Sequence, residues 1–92
     1  MTDLYNRAPT QIVLYGTSWC GDCRRSRAVF AEKGAKYLEI DIDRDPLAAR
    51  FVREMNNGSQ SVPTIIFPDG TILIEPDRAT LSKKLENLQP TA

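Results

Sequence analysis

Two residues in this chain of 92 can act as sulfur nucleophiles, Cys20 and Cys23, and they are its only cysteines. They stand in Leu14-Tyr15-Gly16-Thr17-Ser18-Trp19-Cys20-Gly21-Asp22-Cys23-Arg24-Arg25, directly after an apolar run. In the first turn of a helix this Cys-x-x-Cys spacing puts the two Cα atoms roughly 5 Å apart, within what a disulfide tolerates. The pair can then open and close without rebuilding the backbone. Unpaired amide N–H groups and the positive end of the helix dipole favour a thiolate at the helix start, most of all at Cys20. A stabilised thiolate also departs easily when a neighbouring thiol attacks a mixed disulfide, so Cys20 is read as the attacking sulfur and Cys23 as the resolving one. Arg24, one turn beyond Cys20, reads either as part of a solvated face or as a charge that favours this thiolate or an anionic substrate, and the Asp22 carboxylate opposes the thiolate.

Composition removes most competing chemistries. There is no histidine, which excludes Cys-His and Ser-His-Asp catalysis. A closed zinc site needs four Cys or His ligands and the chain offers two, so no metal site is expected unless two chains share one. Lys plus Arg and Asp plus Glu both total 12, which leaves no global charge to draw the chain to nucleic acid or an anionic membrane. No apolar run is long enough to span a bilayer, and Met1-Thr2-Asp3-Leu4-Tyr5-Asn6-Arg7 lacks the apolar core of a signal peptide. A cytoplasmic location is the expectation, and in that reducing compartment a cysteine pair is catalytic or metal-binding rather than structural.

The elements that must position the pair can be read in order. Residues 1–10 form a short polar tail, 11–88 a single domain and 89–92 a C-terminal tail. Gln11-Ile12-Val13-Leu14-Tyr15 reads as a buried strand, with Thr17 or Ser18 helping to cap the helix that runs to Lys33 and stops at Gly34. Arg24, Arg25 and Arg27 make a charged helix face. Tyr37-Leu38-Glu39-Ile40-Asp41-Ile42-Asp43 alternates apolar and acidic, as an edge strand with one wet face does. Asp45-Pro46 is an N-cap with proline at the first helical position, and Leu47, Phe51 and Met55 carry the apolar face of a second helix ending at Asn56-Asn57-Gly58. Ser61-Val62-Pro63-Thr64-Ile65-Ile66-Phe67 is a third strand in which Pro63 marks a start or bulge. Pro68-Asp69-Gly70 turns the chain into Thr71-Ile72-Leu73-Ile74, and Pro76-Asp77 opens a last helix that buries Leu81, Leu85 and Leu88. The order β-α-β-α-β-β-α predicts an α/β domain, a four-stranded mixed sheet with helices on both faces.

A strand, a Cys-x-x-Cys at the next helix start and a distant Val62-Pro63 together resemble the thioredoxin superfamily, from about Gln11 to Leu88. The short lead before Cys20 is similar to glutaredoxins, and Thr17-Ser18-Trp19-Cys20-Gly21-Asp22-Cys23 resembles the motif of the actinobacterial mycoredoxin type. The resemblance implies a thioredoxin/glutaredoxin fold with a cis Val62–Pro63 bond facing Cys20. It also implies a substrate region of Thr17, Trp19, Arg50, Ser61, Val62, Pro63 and Asp77. In that region Arg50 would meet a glutathione carboxylate, and Asp77 would meet the γ-glutamyl end or simply cap its helix. Two departures weaken the case for glutathione: Thr17 replaces a lysine, and Glu75-Pro76 replaces Gly-Gly. The implied activity is a thiol-disulfide oxidoreductase without a tightly bound cofactor, acting as a monomer on disulfide or S-thiolated proteins. A low-molecular-weight thiol (mycothiol or glutathione), a thioredoxin reductase or a mycothione reductase would supply its electrons. The opposing class is a binding module in which two chains share an iron–sulfur cluster through Cys20; retention of Cys23 favours redox chemistry.

Overall fold

The structure, a computed structural model, describes residues 3–88. Its elements are β1 (Val13–Gly16), α1 (Gly21–Lys33), β2 (Leu38–Asp41), α2 (Pro46–Met55), β3 (Thr64–Ile66), β4 (Ile72–Ile74) and α3 (Arg78–Leu88). They follow the predicted order, and the sheet runs β2-β1-β3-β4. β1 pairs parallel with β2 and antiparallel with β3, and β3 pairs antiparallel with β4. The acidic alternation of β2 therefore lies on a sheet edge, as its sequence indicates.

Alternation along β1 separates two cores. Val13 and Tyr15 pack with Ala48, Phe51 and Val52 of α2 and with Ile66. Leu14 faces the other way, onto Val29 and Phe30 of α1, Ile65, and Leu81 and Leu85 of α3. With all four β1 residues buried between helical layers, the strand reads as a continuous apolar run. Leu88 packs on the second cluster at partial exposure.

The helix ends obey local chemistry. Asp45 accepts from the Leu47 and Ala48 N–H groups at 3.1 and 3.2 Å, with Pro46 in the first turn of α2. Gly34 stops α1 in the left-handed conformation (φ 62°), and its N–H and that of Ala35 bond back to Ala31 and Phe30. One local expectation is corrected: neither Thr17 nor Ser18 caps α1. Cys20 itself is the N-cap, its sulfur accepting from the Cys23 N–H.

The strands are shorter than their apolar runs. Pro63 has no N–H to give a ladder, so β3 starts at Thr64. The N-terminal stretch, polar as it is, is fastened by Tyr5, whose N–H donates to the Tyr15 hydroxyl (3.0 Å) and whose hydroxyl donates to Asp45 (2.6 Å). The 89–92 tail lies outside the described residues.

Gly16 closes β1 where space is shortest. A Cβ there would stand 2.8 Å from Cys23 Sγ and 3.0 Å from Leu14 Cδ2. Gly16→Ala is therefore expected to lose about 1–3 kcal/mol as an overpacked site, seen as a lower midpoint in urea unfolding. An unchanged midpoint would mean that the Cys23 sulfur moves aside freely.

Candidate active site

The β1–α1 turn delivers both cysteines to one end of the sheet, and both are free thiols. They differ sharply in setting. Cys20 reaches the surface at 8% exposure, whereas Cys23 is fully buried beneath it. The Cys23 N–H donates to Cys20 Sγ at 3.1 Å, and the Cys20 thiol points at the Val62 carbonyl at 3.7 Å. The helix start is thus tied to the Cys20 sulfur through a defined bond. Burial pushes the Cys23 thiol up from its ordinary value near 9.0 to about 12. The hydrogen bond and charge of Cys20 add to that rise, and the Thr17 N–H and the Arg27 guanidinium pull against it.

Cys20 opens into a cleft of about 450 Å³. One wall is Trp19, Gly21 and Asp22; the other is Gln60, Ser61, Val62 and Glu75. The Val62–Pro63 bond is cis, and the Pro63 carbonyl accepts from the Glu75 N–H at 2.9 Å, tying the segment before β3 to the one after β4. Trp19 is 70% exposed yet held in place by its Nε1–H, which donates to Asp43 at 2.7 Å. It forms a fixed, solvent-exposed apolar wall of the cleft.

Of the residues singled out from sequence, the fold gathers Trp19, Ser61 and Val62 with Cys20, and Pro63 sits buried behind them. Others lie elsewhere. Thr17 is 2% exposed and outside the cleft lining. Arg50 pairs with Glu54 at 3.1 Å and lines a separate depression with Tyr5, Leu47 and Phe51. Asp77 accepts from the Thr80 N–H at 2.7 Å, the capping bond of α3, and that bond holds its carboxyl below the usual range. Arg24 is exposed and outside the cleft lining, and Arg25 pairs with Asp22 at 3.0 Å.

Three neighbours of the site were not singled out as site residues from sequence. Gly16 is one, although a glycine ending a strand two residues after an apolar side chain signals close approach. Arg27 is another: it stands four residues after Cys23, hence on the same helix face. The third is Glu75, which enters the sequence reading only as a departure; it stands at φ 48° and lines the cleft. The acidic residues of the β2 region have defined partners: Glu39 meets Arg27, Asp41 meets Arg44 at 3.8 Å, and Asp43 meets Trp19.

Comparison with known proteins decides the family. The glutaredoxin family model matches residues 12–72. The chain belongs to the glutaredoxin family. It is 38% identical over 74 residues to a glutaredoxin of Mycobacterium tuberculosis, covering 80% of this chain and 88% of that one. It is also 34% identical over 79 residues to mycoredoxin 1 of Corynebacterium glutamicum, covering 86% of this chain and 98% of the relative. Among solved structures, the glutaredoxin-like NrdH-redoxin of Escherichia coli shares the fold, with a TM-score of 0.71 at 22% identity over 90% of this chain and all of that one. In general terms this makes the chain a thiol oxidoreductase carrying a Cys20–Cys23 pair. No helix among the described residues is long and apolar enough to cross a membrane.

The asymmetry between the two sulfurs has a direct readout. In the reduced, folded protein at neutral pH, iodoacetamide is expected to alkylate Cys20 on the order of a hundredfold faster than Cys23, since reaction needs both access and thiolate. Peptide mass spectrometry over a time course measures the ratio. Equal labelling would contradict the buried, high-pKa setting of Cys23.

Proposed function

We propose that the chain reduces protein disulfides and mixed disulfides through a dithiol cycle. The observation that carries this reading is the seating of Cys23 under Cys20, with its N–H 3.1 Å from the Cys20 sulfur at the floor of an open cleft. In the first step the Cys20 thiolate attacks one sulfur of the substrate disulfide and the other sulfur leaves as a thiolate. In the second, the Cys23 sulfur attacks Cys20 Sγ, the bound thiol departs with the proton that Cys23 gives up, and a Cys20–Cys23 disulfide remains. A low-molecular-weight thiol or a flavin disulfide reductase then returns two electrons. The Val62 backbone, opposite Cys20 at 3.7 Å, offers the polar edge against which an extended substrate segment can lie. Disulfide-bearing and S-thiolated proteins are the substrates this geometry suits, in a reducing compartment such as the cytoplasm.

The charge of the cleft bears on the small-thiol partner. Among the described residues, the ionisable groups that line it apart from Cys20 are Asp22 and Glu75, and no cation does. Glutathione brings two carboxylates, and Arg25 of α1 is already paired with Asp22. An uncharged thiol such as mycothiol suits these walls better. The same walls weigh against a shared iron–sulfur cluster held with glutathione, and the poised Cys23 favours dithiol chemistry over it.

Reduction of a mixed disulfide and of a protein disulfide should be compared in wild type, Cys20→Ser and Cys23→Ser. Cys20→Ser is expected to abolish both activities. Cys23→Ser should lose protein-disulfide reduction while retaining turnover of the small mixed disulfide; retained activity in Cys20→Ser would sink the mechanism. Glu75→Gln is expected to raise the rate with glutathione about two- to fivefold at low salt, with the gain fading at high salt. Rates unchanged by Glu75→Gln would show that cleft charge does not select the thiol.

A further inference from the structure

Three arginines follow Cys23 on α1, and one of them turns inward. Arg27 Nε donates to Glu39 Oε2 at 2.7 Å, and its Nη2 lies 2.6 Å from the same oxygen. Nη2 also donates to the backbone carbonyl of Thr17 at 2.9 Å. This last bond reaches the turn between β1 and the cysteines. Thr17 is the residue whose own N–H acts on Cys23, and Gly16 beside it is in contact range of the Cys23 sulfur. The guanidinium therefore does two things at once: it pins the peptide that follows the Thr17 N–H acting on Cys23, and its positive charge, four residues on along α1, favours the Cys23 thiolate.

We propose that Arg27, held by Glu39 and the Thr17 carbonyl, is the positioning residue for the resolving step, making the Cys23 thiolate reachable when Cys20 is tied up in a mixed disulfide. The role rests on the dithiol cycle above. Cys23 is fully buried and otherwise costly to ionise. Among the described residues, Cys20 and Arg27 are the titratable or charged groups acting on Cys23, with Glu39 of β2 behind Arg27 and the Tyr37 hydroxyl 3.3 Å from Glu39. From β1 and its turn come Gly16 and the Thr17 peptide. The buried hydroxyls of Thr17 and Ser26 carry no charge and compensate none. Once Cys20 is covalently occupied it no longer contributes negative charge, and the balance at Cys23 tips toward Arg27. The step conserves atoms and electrons: the Cys20–substrate S–S bond breaks, a Cys20–Cys23 S–S bond forms, and the Cys23 proton leaves on the released thiol.

The test is single-turnover release of a chromogenic thiol from the Cys20 mixed disulfide, followed across pH 6 to 10. Arg27→Gln, or Arg27→Leu if the glutamine variant does not fold, is expected to slow release about tenfold at neutral pH and to move the profile up by about one unit. Arg27→Lys should restore most of the rate. Formation of the mixed disulfide by Cys20, measured in a Cys23→Ser background, should not change. Superimposable pH profiles for wild type and the neutral variants would overturn the role of Arg27 alone. If wild type never releases the thiol by intramolecular attack, the dithiol cycle itself falls, and this role with it.

Discussion

The Cys23 sulfur occupies the space that a side chain on Gly16 would need, and that contact sets how closely α1 can approach the end of β1. Much else depends on it. With α1 seated this deeply, Cys20 falls at the N-cap rather than within the helix, where its sulfur can accept a backbone N–H. The same seating brings Phe30, two turns on, against Leu14 and the α3 leucines in one apolar cluster. The position of the reactive sulfur is thus fixed by core packing, which protein interiors hold to within fractions of an ångström.

The site joins three parts of the chain far apart in sequence, and each part has its own reason to be there. The cysteines arrive at the end of a central strand. Val62 and Pro63 arrive on the segment before β3, which pairs directly with β1. Glu75 follows β4, and its N–H fastens the two segments at the Pro63 carbonyl. A non-glycine residue in the left-handed region is strained, and such strain persists where the surroundings over-determine it. Here Pro76 is buried directly after it, so the backbone at Glu75 is committed by its neighbour and by the bond to Pro63. The consequence is that an acidic residue lines the cleft.

The element order, the Asp45 cap of α2, the stop at Gly34 and the burial of β1 were legible because each rests on a local pattern: an apolar run or period, an Asp-Pro start, a terminal glycine. Pro63 as a strand start was legible from proline's missing N–H, but its place opposite Cys20 was legible only through resemblance, since nothing in a Val-Pro dipeptide states which strand it will face. What stayed hidden was the partner of each charge. Arg24, Arg25 and Arg27 are alike as letters, and the helix geometry that would single out Arg27 matters only once β2 is known to present Glu39 on the same side. Arg50 shows the converse. Its place in the chain suited a carboxylate ligand, but a helical i, i+4 partner, Glu54, stands beside it and the depression it lines is not the one that holds Cys20.

A dithiol reductase faces two conflicting demands on its second cysteine. It must stay inert while Cys20 searches for a substrate, or it would close the disulfide on any oxidant, and it must become a nucleophile within the lifetime of the mixed disulfide. Burial satisfies the first demand by raising the cost of the Cys23 thiolate. Burial alone would defeat the second, because a thiol held near 12 presents almost no thiolate at neutral pH. In the proposed cycle a fixed cation, Arg27, at the edge of the buried site reconciles them by pulling against the burial of Cys23. In that cycle the first attack bonds Cys20 to the substrate, which ends its hydrogen bond and charge on Cys23 and leaves burial opposed by Arg27 and the Thr17 N–H.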